Sequence, residues 1–304
     1  MFPNIDCIPS VISCCYQRLK PVAINTILFP LDSTRLGVGL DGRLVIITGG
    51  SGGLASVVSR ALLAQGADVA LIDMNLERTK QAAKDLAAWG EETLKGRSDQ
   101  PAGQVSAWSC NIGDSESVET TFSAINEQHG KIADVLINSA GYCENFPAED
   151  YPAPNAEGIL KVNGLGAFYV SQAFARPLIA NNQKGSIILV GSMSGTIVND
   201  PQPQSMYNMS KAGVIHLVRS LACEWAKYNI RVNTLSPGYI LTPLTRNVIS
   251  GHSEMKDAWE SKIPMKRMAE PKEFVGSILY LASDSASSYT TGHNLVVDGG
   301  YECW

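Results

Sequence analysis

The sequence predicts an α/β fold: a single domain built on a doubly wound parallel sheet of about seven strands, with helices on both faces. From about residue 42 onward, apolar strand-like runs alternate with longer helical segments, which is the pattern of a parallel sheet covered on both sides. The first run, residues 44–48, leads through a glycine cluster into an alanine-rich segment, as strand, tight turn and helix do. The domain is therefore expected to occupy residues 41–304.

The elements are predicted in order, from apolar runs and from the residues that interrupt them. Strands are predicted at residues 44–48, 69–73, 104–109, 134–138, 185–190, 230–235 and 294–297. Helices are predicted from the glycine turn to Gly66, from Leu76 to Trp89, from Asp114, and at about 156–182, 206–228 and 271–282. Asp114 is a good N-cap because its carboxylate accepts from free N–H groups of the first helical turn. The polar stretch Gly90–Gly103 is predicted to be a solvated loop.

A phosphate-binding turn is predicted between the first strand and the first helix. The glycines between Gly49 and Gly53 let the chain turn sharply and approach a phosphate closely, while the helix N-terminus attracts the anion. About 20 residues past Gly53, a second apolar run ends at Asp73, the spacing at which a βαβ unit places a carboxylate on an adenosine ribose. Together the two signals predict a Rossmann-type dinucleotide site.

Asp73 favours NAD over NADP. A carboxylate accepts a hydrogen bond from a ribose 2′-hydroxyl but repels a 2′-phosphate. Arg78 is the basic residue nearest in sequence and lies one turn into the next helix, where a solvated surface charge is the simpler interpretation. NAD is therefore the predicted cofactor, and NADP is the alternative.

Tyr207 and Lys211 form a pair with a chemical use. Four residues apart on a helix, both side chains lie on one face, so the ammonium approaches the phenol. A free tyrosine titrates near 10, and acid–base work at neutral pH requires lowering that pKa by roughly 3, equivalent to about 4 kcal/mol of favourable charge environment. Lys211 and an oxidised nicotinamide would supply the positive charge. A Tyr–Lys pair at this spacing is usually an exposed pair without a catalytic role. A catalytic role for Tyr207 and Lys211 therefore depends on the surrounding motifs.

Separate motifs supply that context along residues 42–300. They are Thr48-Gly49-x-x-x-Gly53-Leu54-Ala55, Asn138-Ser139-Ala140-Gly141, Asn163, Ser192, Tyr207-x-x-x-Lys211, Pro237-Gly238 with Thr242, and Asp298-Gly299-Gly300. In this order they resemble the T-G-x-x-x-G-x-G turn, the N-N-A-G and Y-x-x-x-K motifs and the further conserved positions of the short-chain dehydrogenase/reductase family. The resemblance implies an NAD(P)-dependent alcohol dehydrogenase or ketone reductase, commonly a homodimer or homotetramer.

The resemblance also implies residue roles. Tyr207 would be the general acid–base, and Ser192 would hold the substrate oxygen. Lys211 would bind the nicotinamide ribose and lower the tyrosine pKa, and Asn163 would anchor a proton-relay water. The implied cofactor-binding residues are Gly49, Ser51, Gly52, Gly53, Leu54, Asp73, Asn111, Ile112, Asn138, Ala140, Gly141, Tyr207, Lys211, Pro237, Gly238, Ile240 and Thr242. No metal site is expected.

Three features depart from the family pattern. Ala55 replaces the third glycine and adds a methyl where helix and strand pack closely, which a small shift would absorb. Asn111 stands where the family usually has an aspartate that accepts from the adenine amino group, and the amide oxygen still accepts. The gap of 15 residues from Ser192 to Tyr207 is longer than is common in the family, which leaves Ser194 as a second candidate for the serine role.

The substrate is predicted from two segments, the loop 201–207 and the ending 298–304. Both resemble the fungal polyol dehydrogenases and ketose reductases of this family, which act on mannitol, sorbitol, arabinitol or sorbose. Polar side chains expected near the pocket would pair polyol hydroxyls: Glu144, Asn145, Ser194, Gln202, Gln204 and Tyr239. Residues 241–268, with Met255 and Trp259, are predicted to form a helical lid over the substrate.

Two alternatives to a polyol dehydrogenase stay open. One is a reductase of 3-oxoacyl thioesters or another hydrophobic ketone, which would need a basic patch for a pantetheine phosphate, and Lys266 and Arg267 keep it under consideration. The other is a catalytically silent nucleotide-binding protein on the same fold. A silent protein would be expected to have lost one of the four catalytic residues, and all four are present.

Composition excludes several other classes. The net charge of −5, with basic residues scattered among acids, argues against nucleic acid or an anionic membrane as the main partner. No apolar stretch reaches the roughly 18 to 20 residues that span a bilayer. Seven cysteines without a repeated C-x-x-C spacing indicate free thiols in a reducing compartment, so a cytoplasmic location is expected.

Residues 1–40 are predicted to be an extension that precedes the domain. Prolines interrupt any long helix there, and no amphipathic period is sustained. The expected form is an arm packed on the outside of the domain. The alternative is a mitochondrial presequence, although the few basic residues stand against two aspartates.

Overall fold

Seven strands form one parallel sheet in the computed structural model, which describes residues 38–95, 103–243, 245–246 and 253–303. The strands are β1 (Leu44–Thr48), β2 (Asp68–Asp73), β3 (Val105–Ser109), β4 (Val135–Asn138), β5 (Gly185–Val190), β6 (Ile230–Pro237) and β7 (Asn294–Val297). Their spatial order is β3-β2-β1-β4-β5-β6-β7, and every neighbouring pair is parallel. The predicted fold class is confirmed.

Helices cover both faces of this sheet. Those in the described residues are α1 (Gly53–Ala64), α2 (Leu76–Thr93), α3 (Ser115–His129), α4 (Ala153–Ile159), α5 (Ala167–Ala180), α6 (Ser205–Trp225), α7 (Ser253–Lys262), α8 (Val275–Ala282) and α9 (Asp284–Ser287). On one face α3, α5 and α6 bury Leu44 and Ile46 of β1. On the other face α1, α2 and α8 bury Val45 and Ile47. Because successive strand residues point to opposite faces, the side chains of β1 are buried in both apolar cores. Burial of each side chain stabilises the fold by about 1.5–3 kcal/mol.

The strand order reverses between β1 and β4, and this reversal locates the cleft. The chain runs from β1 outward to β2 and β3, then returns to β4 on the other side of β1. The connections leave from the carboxyl ends of β1 and β4 in opposite directions, so a crevice opens there. The predicted glycine turn follows β1, and the predicted Asn138 motif ends β4.

Several helix boundaries differ from those predicted. The expected loop from Gly90 is wrong at its start, since α2 continues to Thr93 and Gly90 is buried against Leu63. The long helix expected at 156–182 begins at Ala153, ends at Ala180 and contains a π-helical segment, Leu160–Gly166. A π-helix is rare, and the sequence pattern does not distinguish it from an α-helix.

Part of the predicted lid forms a small apolar cluster of its own. Trp259 of α7 and Ile263, the residue after this helix, pack with Met193, Met268 and Tyr301. The lid residues 244 and 247–252, the loop residues 96–102 and the predicted N-terminal extension as far as residue 37 lie outside the described residues. Among the described helices, none is long and apolar enough to cross a membrane.

Candidate active site

The turn between β1 and α1 is shaped by glycines. Gly49 adopts φ +66°, and a Cβ there would lie 3.0 Å from the backbone nitrogen of Ala140. A Cβ on Gly50 would lie 2.8 Å from the Cβ of Leu71. Helix α1 begins at Gly53 after the N-cap Gly52, and among the described residues no side chain caps this helix end. Its first N–H groups and positive dipole end therefore suit a pyrophosphate.

Asp73 ends β2 beside this turn. Its Oδ2 accepts from the backbone nitrogen of Ser51 at 3.2 Å and from the Ser51 hydroxyl at 2.6 Å, and its Oδ1 accepts from the nitrogen of Met74 at 2.8 Å. These bonds fix the carboxylate next to the turn, as recognition of an adenosine ribose requires. Arg78 is exposed and lines a cavity with Gly50 and Ser51, so a cationic side chain borders the same position.

Hydrogen bonds tie the ends of β1 and β4 together. Thr48 Oγ1 donates to Asn138 Oδ1 at 2.5 Å and accepts from the backbone nitrogen of Ala140 at 3.2 Å. A Cβ on Gly141 would lie 3.0 Å from Asn163 Oδ1, so a larger residue at 141 would displace that amide. The predicted Asn138–Gly141 motif thus connects the dinucleotide turn to the catalytic side chains.

Two loops complete the predicted dinucleotide site. Thr242 lies against the glycine turn, since a Cβ on Gly53 would be 3.2 Å from the Cβ of Thr242. Gly238 follows β6 and approaches Asp298 so closely that a Cβ would lie 2.7 Å from its Cα. Of the other predicted positions, Pro237 ends β6, Ile240 forms an isolated bridge with Ala269, Leu54 is half-buried in α1, and Ala55 is buried.

The departure at Asn111 has a visible local role. Asn111 is exposed, and its Oδ1 accepts from the backbone nitrogen of Gly113 at 3.1 Å. The neighbouring Ile112 is buried and packs against Gly166, where a Cβ would lie 3.0 Å from its side chain. The amide oxygen expected to meet an adenine is therefore engaged with the loop that precedes α3.

Ser192, Tyr207 and Lys211 meet beyond the carboxyl end of β5. The Tyr207 hydroxyl hydrogen-bonds with the Ser192 side chain, and Lys211 Nζ lies 5.7 Å from the centroid of the Tyr207 ring. Lys211 Nζ also donates to the carbonyl of Val190 at 2.8 Å, which fixes the buried lysine at the end of β5. The structure therefore brings together three of the four predicted catalytic side chains.

Burial decides the electrostatics of this cluster. Desolvation raises the pKa of Tyr207 to about 12, against the lowering effect of its hydrogen bond with Ser192. Desolvation also lowers the pKa of Lys211 to about 8. The protein alone thus keeps the phenol neutral at pH 7, and Lys211 does not offset that burial. A tyrosine that acts as a base here needs a further positive charge beside it, as a cationic nicotinamide would provide.

Asn163, the fourth predicted catalytic residue, lies on the π-helical segment and is buried. Its Nδ2 donates to the carbonyl of Tyr142 at 2.9 Å and to the hydroxyl of Ser210 at 3.1 Å. Its Oδ1 accepts from the nitrogen of Tyr142 at 3.1 Å. Ser210 in turn donates to the carbonyl of Tyr207 at 2.7 Å. Asn163 therefore fixes the chain after β4 against α6, the helix that carries Tyr207.

A buried polar network lies behind Ser192. Ser192 Oγ donates to Ser194 Oγ at 3.0 Å, and Ser194 Oγ donates to Asn199 Oδ1 at 2.6 Å. Gln204 Nε2 donates to Ser194 Oγ at 3.1 Å, to Asn199 Oδ1 at 2.9 Å and to Asn208 Oδ1 at 2.9 Å. Ser194 and Gln204 were predicted to contact substrate. They instead form these hydrogen bonds within the protein and orient the loop that carries Ser192.

Gln202 and Tyr239 connect this loop to the lid. Gln202 Nε2 donates to the Tyr239 hydroxyl at 2.8 Å, and Trp259 Nε1 donates to Gln202 Oε1 at 3.0 Å. The rings of Tyr239 and Trp259 stack with centroids 4.4 Å apart. Asn199 Nδ2 donates to the same Tyr239 hydroxyl at 3.2 Å. These contacts therefore join α7 to the loop behind Ser192.

The last two predicted substrate residues lie on the loop after β4. Glu144 Oε1 accepts from Asn155 Nδ2 at 3.1 Å, and Asn145 is exposed with its Oδ1 3.8 Å from the sulfur of Cys143. The Cys143 sulfur also lies 3.8 Å from Gln204 Oε1, and burial raises the pKa of its thiol to about 11. The loop thus borders the catalytic cluster.

Sequence reasoning missed several residues of the site. Asn199, Cys143, Tyr151 and Asn155 lie in loops or at the start of a helix and belong to no motif. Only Ser210 carried a local signal, because it lies three residues after Tyr207 and so one helical turn away.

Comparison with known proteins assigns the chain. A family model described as enoyl-(acyl carrier protein) reductase matches residues 49–302. A short-chain type dehydrogenase/reductase from Mycobacterium marinum superposes with a TM-score of 0.79 and 35% identity, covering 87% of this chain and 97% of that one. The chain belongs to the short-chain dehydrogenase/reductase family. The prediction of an NAD(P)-dependent oxidoreductase is confirmed at the level of this family.

Two relatives share more sequence. The D-arabinitol 2-dehydrogenase (ribulose-forming) of Scheffersomyces stipitis is 86% identical over 265 residues, which cover 87% of this chain and 95% of that protein. The NADH-dependent L-xylulose reductase of Ambrosiozyma monospora is 55% identical and covers 87% and 96% of the two chains. The predicted resemblance to fungal polyol dehydrogenases and ketose reductases within this family is confirmed.

Proposed function

We propose that this short-chain dehydrogenase/reductase interconverts D-arabinitol and D-ribulose with NAD. The observation that carries the proposal is the Ser192–Tyr207–Lys211 cluster. The same chain has a glycine turn that leads into an uncapped helix end, and it is 86% identical to a D-arabinitol 2-dehydrogenase. Glu144 Oε2 and the Tyr151 hydroxyl, which are buried without a hydrogen-bond partner among the described residues, support a polyhydroxylated substrate, because an apolar ketone would leave such polar groups unpaired.

Each catalytic side chain has one task in this proposal. Tyr207 takes the proton of the reacting hydroxyl during oxidation and returns it to the carbonyl oxygen during reduction. Ser192 holds the same oxygen, since its side chain hydrogen-bonds with the phenol. Lys211 adds positive charge beside the ring, and Asn163 anchors the water through which the proton leaves. The bound dinucleotide supplies the hydride acceptor for oxidation or the hydride donor for reduction.

Asp73 supports NAD as the preferred dinucleotide. Its carboxylate is fixed beside the turn by two bonds from Ser51, and a 2′-phosphate brought there would be repelled. The NADH-dependent L-xylulose reductase of Ambrosiozyma monospora is consistent with this choice. Arg78 keeps NADP as the alternative, because it borders the same position.

The hydrophobic-ketone alternative finds less support in the same cleft. The basic residues that favoured it are engaged elsewhere: Arg267 donates to both carboxylate oxygens of Glu273 at 2.6 and 2.7 Å. Lys266 Nζ donates to the carbonyl of Ser261 at 2.6 Å. A pantetheine phosphate would have to compete with these partners.

We also propose a cytoplasmic homodimer or homotetramer. The apolar residues Leu165 and Met209 are 50% and 59% exposed on the π-helical segment and on α6, and exposed apolar side chains of this kind favour association. Light scattering of the purified protein gives its mass in solution, and a monomer would contradict this part of the proposal.

The deciding experiment follows absorbance at 340 nm with D-arabinitol, mannitol, sorbitol and xylitol, each with NAD and with NADP. Wild-type protein is expected to oxidise D-arabinitol with NAD, and Tyr207→Phe is expected to lose at least about 10³-fold in kcat while still binding NADH. Tyr289→Phe, a fully exposed tyrosine, is the matched control. Nucleotide binding without turnover of any polyol would overturn the proposal.

A further inference from the structure

Two buried polar atoms without a hydrogen-bond partner lie in one loop. Among the described residues, four buried side-chain N or O atoms are unpartnered, and two of them are Glu144 Oε2 and the Tyr151 hydroxyl. Burying such a group without a partner costs about 1–3 kcal/mol, so two in one loop call for an explanation. Both belong to the segment between β4 and α4.

Each of these groups is held in place by a neighbour. Asn155 Nδ2 donates to Glu144 Oε1 at 3.1 Å, which fixes the carboxylate and leaves Oε2 open. The ring of Phe146 meets the ring of Tyr151 edge to face, with centroids 5.1 Å apart and planes at 66°. The acceptor and the donor are therefore positioned before any ligand arrives.

The pair lies beside the catalytic cluster. Cys143, the residue before Glu144, has its sulfur 3.8 Å from Gln204 Oε1, and Gln204 belongs to the network behind Ser192. Asn155 lies on α4, which packs against α6, the helix of Tyr207 and Lys211. The charge of Glu144 is also felt by Tyr151, since burial and then this carboxylate raise the pKa of the phenol. The segment that holds this pair therefore borders both the network behind Ser192 and the helix that carries Tyr207.

We propose that Glu144 and Tyr151 form a subsite for a polyol hydroxyl away from the reacting carbon. An ionised carboxylate only accepts hydrogen bonds, and the phenol has a proton to donate. A hydroxyl group does both, so one hydroxyl satisfies Glu144 Oε2 and the Tyr151 hydroxyl together. A carbonyl oxygen or a hydrocarbon chain cannot donate to the carboxylate, so the subsite selects polyhydroxylated substrates. This inference rests on the proposed polyol activity and assigns the residues that enforce it.

The test measures binding and turnover separately. Calorimetric binding of D-arabinitol to the NADH-saturated protein is compared for wild type, Glu144→Gln and Tyr151→Phe. Glu144→Gln is expected to weaken binding and raise KM by about 10- to 100-fold, and Tyr151→Phe by about 3- to 10-fold. In both variants kcat is expected to stay within about threefold of wild type, with an unchanged Kd for NADH. Glu149→Gln, an exposed carboxylate in the same segment, is the control and is expected to match wild type.

The outcomes separate this inference from the proposed function. Unchanged D-arabinitol affinity in Glu144→Gln, or a fall in kcat at constant KM, overturns the subsite. Wild-type protein that binds D-arabinitol in a Glu144-dependent way without oxidising any polyol overturns the proposed function and leaves the subsite. Protein that neither binds nor oxidises a polyol overturns both. Equal melting temperatures of the variants exclude a folding defect as the cause.

Discussion

The two halves of the cleft are built from different parts of the chain. The dinucleotide half consists mainly of backbone: a glycine turn, an uncapped helix end and the close approach of Gly238 to Asp298. The substrate half consists of side chains from four separate segments. Hydrogen bonds join Ser194, Asn199, Gln204 and Tyr239, the ring of Tyr239 stacks on that of Trp259, and Asn155 donates to Glu144. Backbone geometry tolerates few residue types, whereas a side-chain network can be rebuilt with different residues. The first half is therefore recognisable as a motif, and the second half sets specificity.

The largest expected loss of activity follows from substituting the serines of the substrate half. Ser192→Ala is expected to lower kcat by about 10²–10³-fold, because it removes the group that hydrogen-bonds with the Tyr207 phenol. Ser194→Ala is expected to lower kcat about tenfold, because Ser194 lies behind Ser192 and acts through it. Steady-state kinetics of both variants measure this. A larger loss in Ser194→Ala would move the substrate-holding role to Ser194.

The next largest effect is a loss of NADH affinity when the glycine turn of the dinucleotide half is altered. Gly50→Ala is expected to weaken NADH binding by about 10- to 100-fold, because its Cβ would lie 2.8 Å from Leu71 and 3.0 Å from the nitrogen of Ile72. Fluorescence titration of NADH measures the change. Gly276→Ala is the matched control. Among the described residues, no atom beyond its own stretch of helix lies within 4 Å of that Cβ, and alanine there is expected to stabilise the protein by about 0.5–1 kcal/mol. Normal NADH affinity in Gly50→Ala would contradict the importance of this turn.

A smaller effect sharpens the cofactor choice. Asp73→Ser is expected to lower kcat/KM for NAD about tenfold and to raise it for NADP, because the charge that repels a 2′-phosphate is removed. Adding Arg78→Ala is expected to abolish the gain with NADP, since Arg78 borders the same position. Asp85→Asn, which changes another carboxylate on the same cavity, serves as the control. A strict preference for NADP in wild type would refute the role given to Asp73.

The last expected effect is a change in stability where the two halves meet, at Lys211. Its pKa is lowered from 10.5 to about 8 by burial, equivalent to roughly 3 kcal/mol of disfavoured charge in the folded state. Between these values the unfolded chain binds more protons, so this lysine makes wild-type stability rise with pH from about 8 to about 10.5.

Lys211→Met is therefore expected to melt several degrees above wild type at pH 7, with a difference that shrinks toward pH 10. Its activity is expected to be lost at every pH, because the charge beside Tyr207 is gone. Differential scanning fluorimetry across this range measures the shift, and Lys227→Met, an exposed lysine near the end of α6, is the control. A difference that stays constant with pH would show that burial does not disfavour the charge.

Most of the fold and the dinucleotide turn followed from local sequence signals. The apolar run at 44–48, the glycines and the acid at Asp73 each depend on neighbouring residues, and the structure brings them together as the pattern predicts. The four-residue spacing of Tyr207 and Lys211 is likewise local, because helix geometry fixes which residues share a face. The predicted end of α2 was wrong because Gly90, a residue type that usually ends helices, is buried against Leu63 on α1.

The sequence by itself determined the α/β architecture and the family, and it picked out the side chains proposed to react, because periodicity, turn chemistry and helix spacing act over a few residues. Only the tertiary structure decided the environment of those side chains. The pKa of Tyr207 depends on how many neighbours exclude water from it, and the Glu144–Tyr151 subsite depends on Asn155 and Phe146 arriving from other turns of the chain. Desolvation and side-chain hydrogen bonding are properties of packing, and no local pattern of residues encodes them.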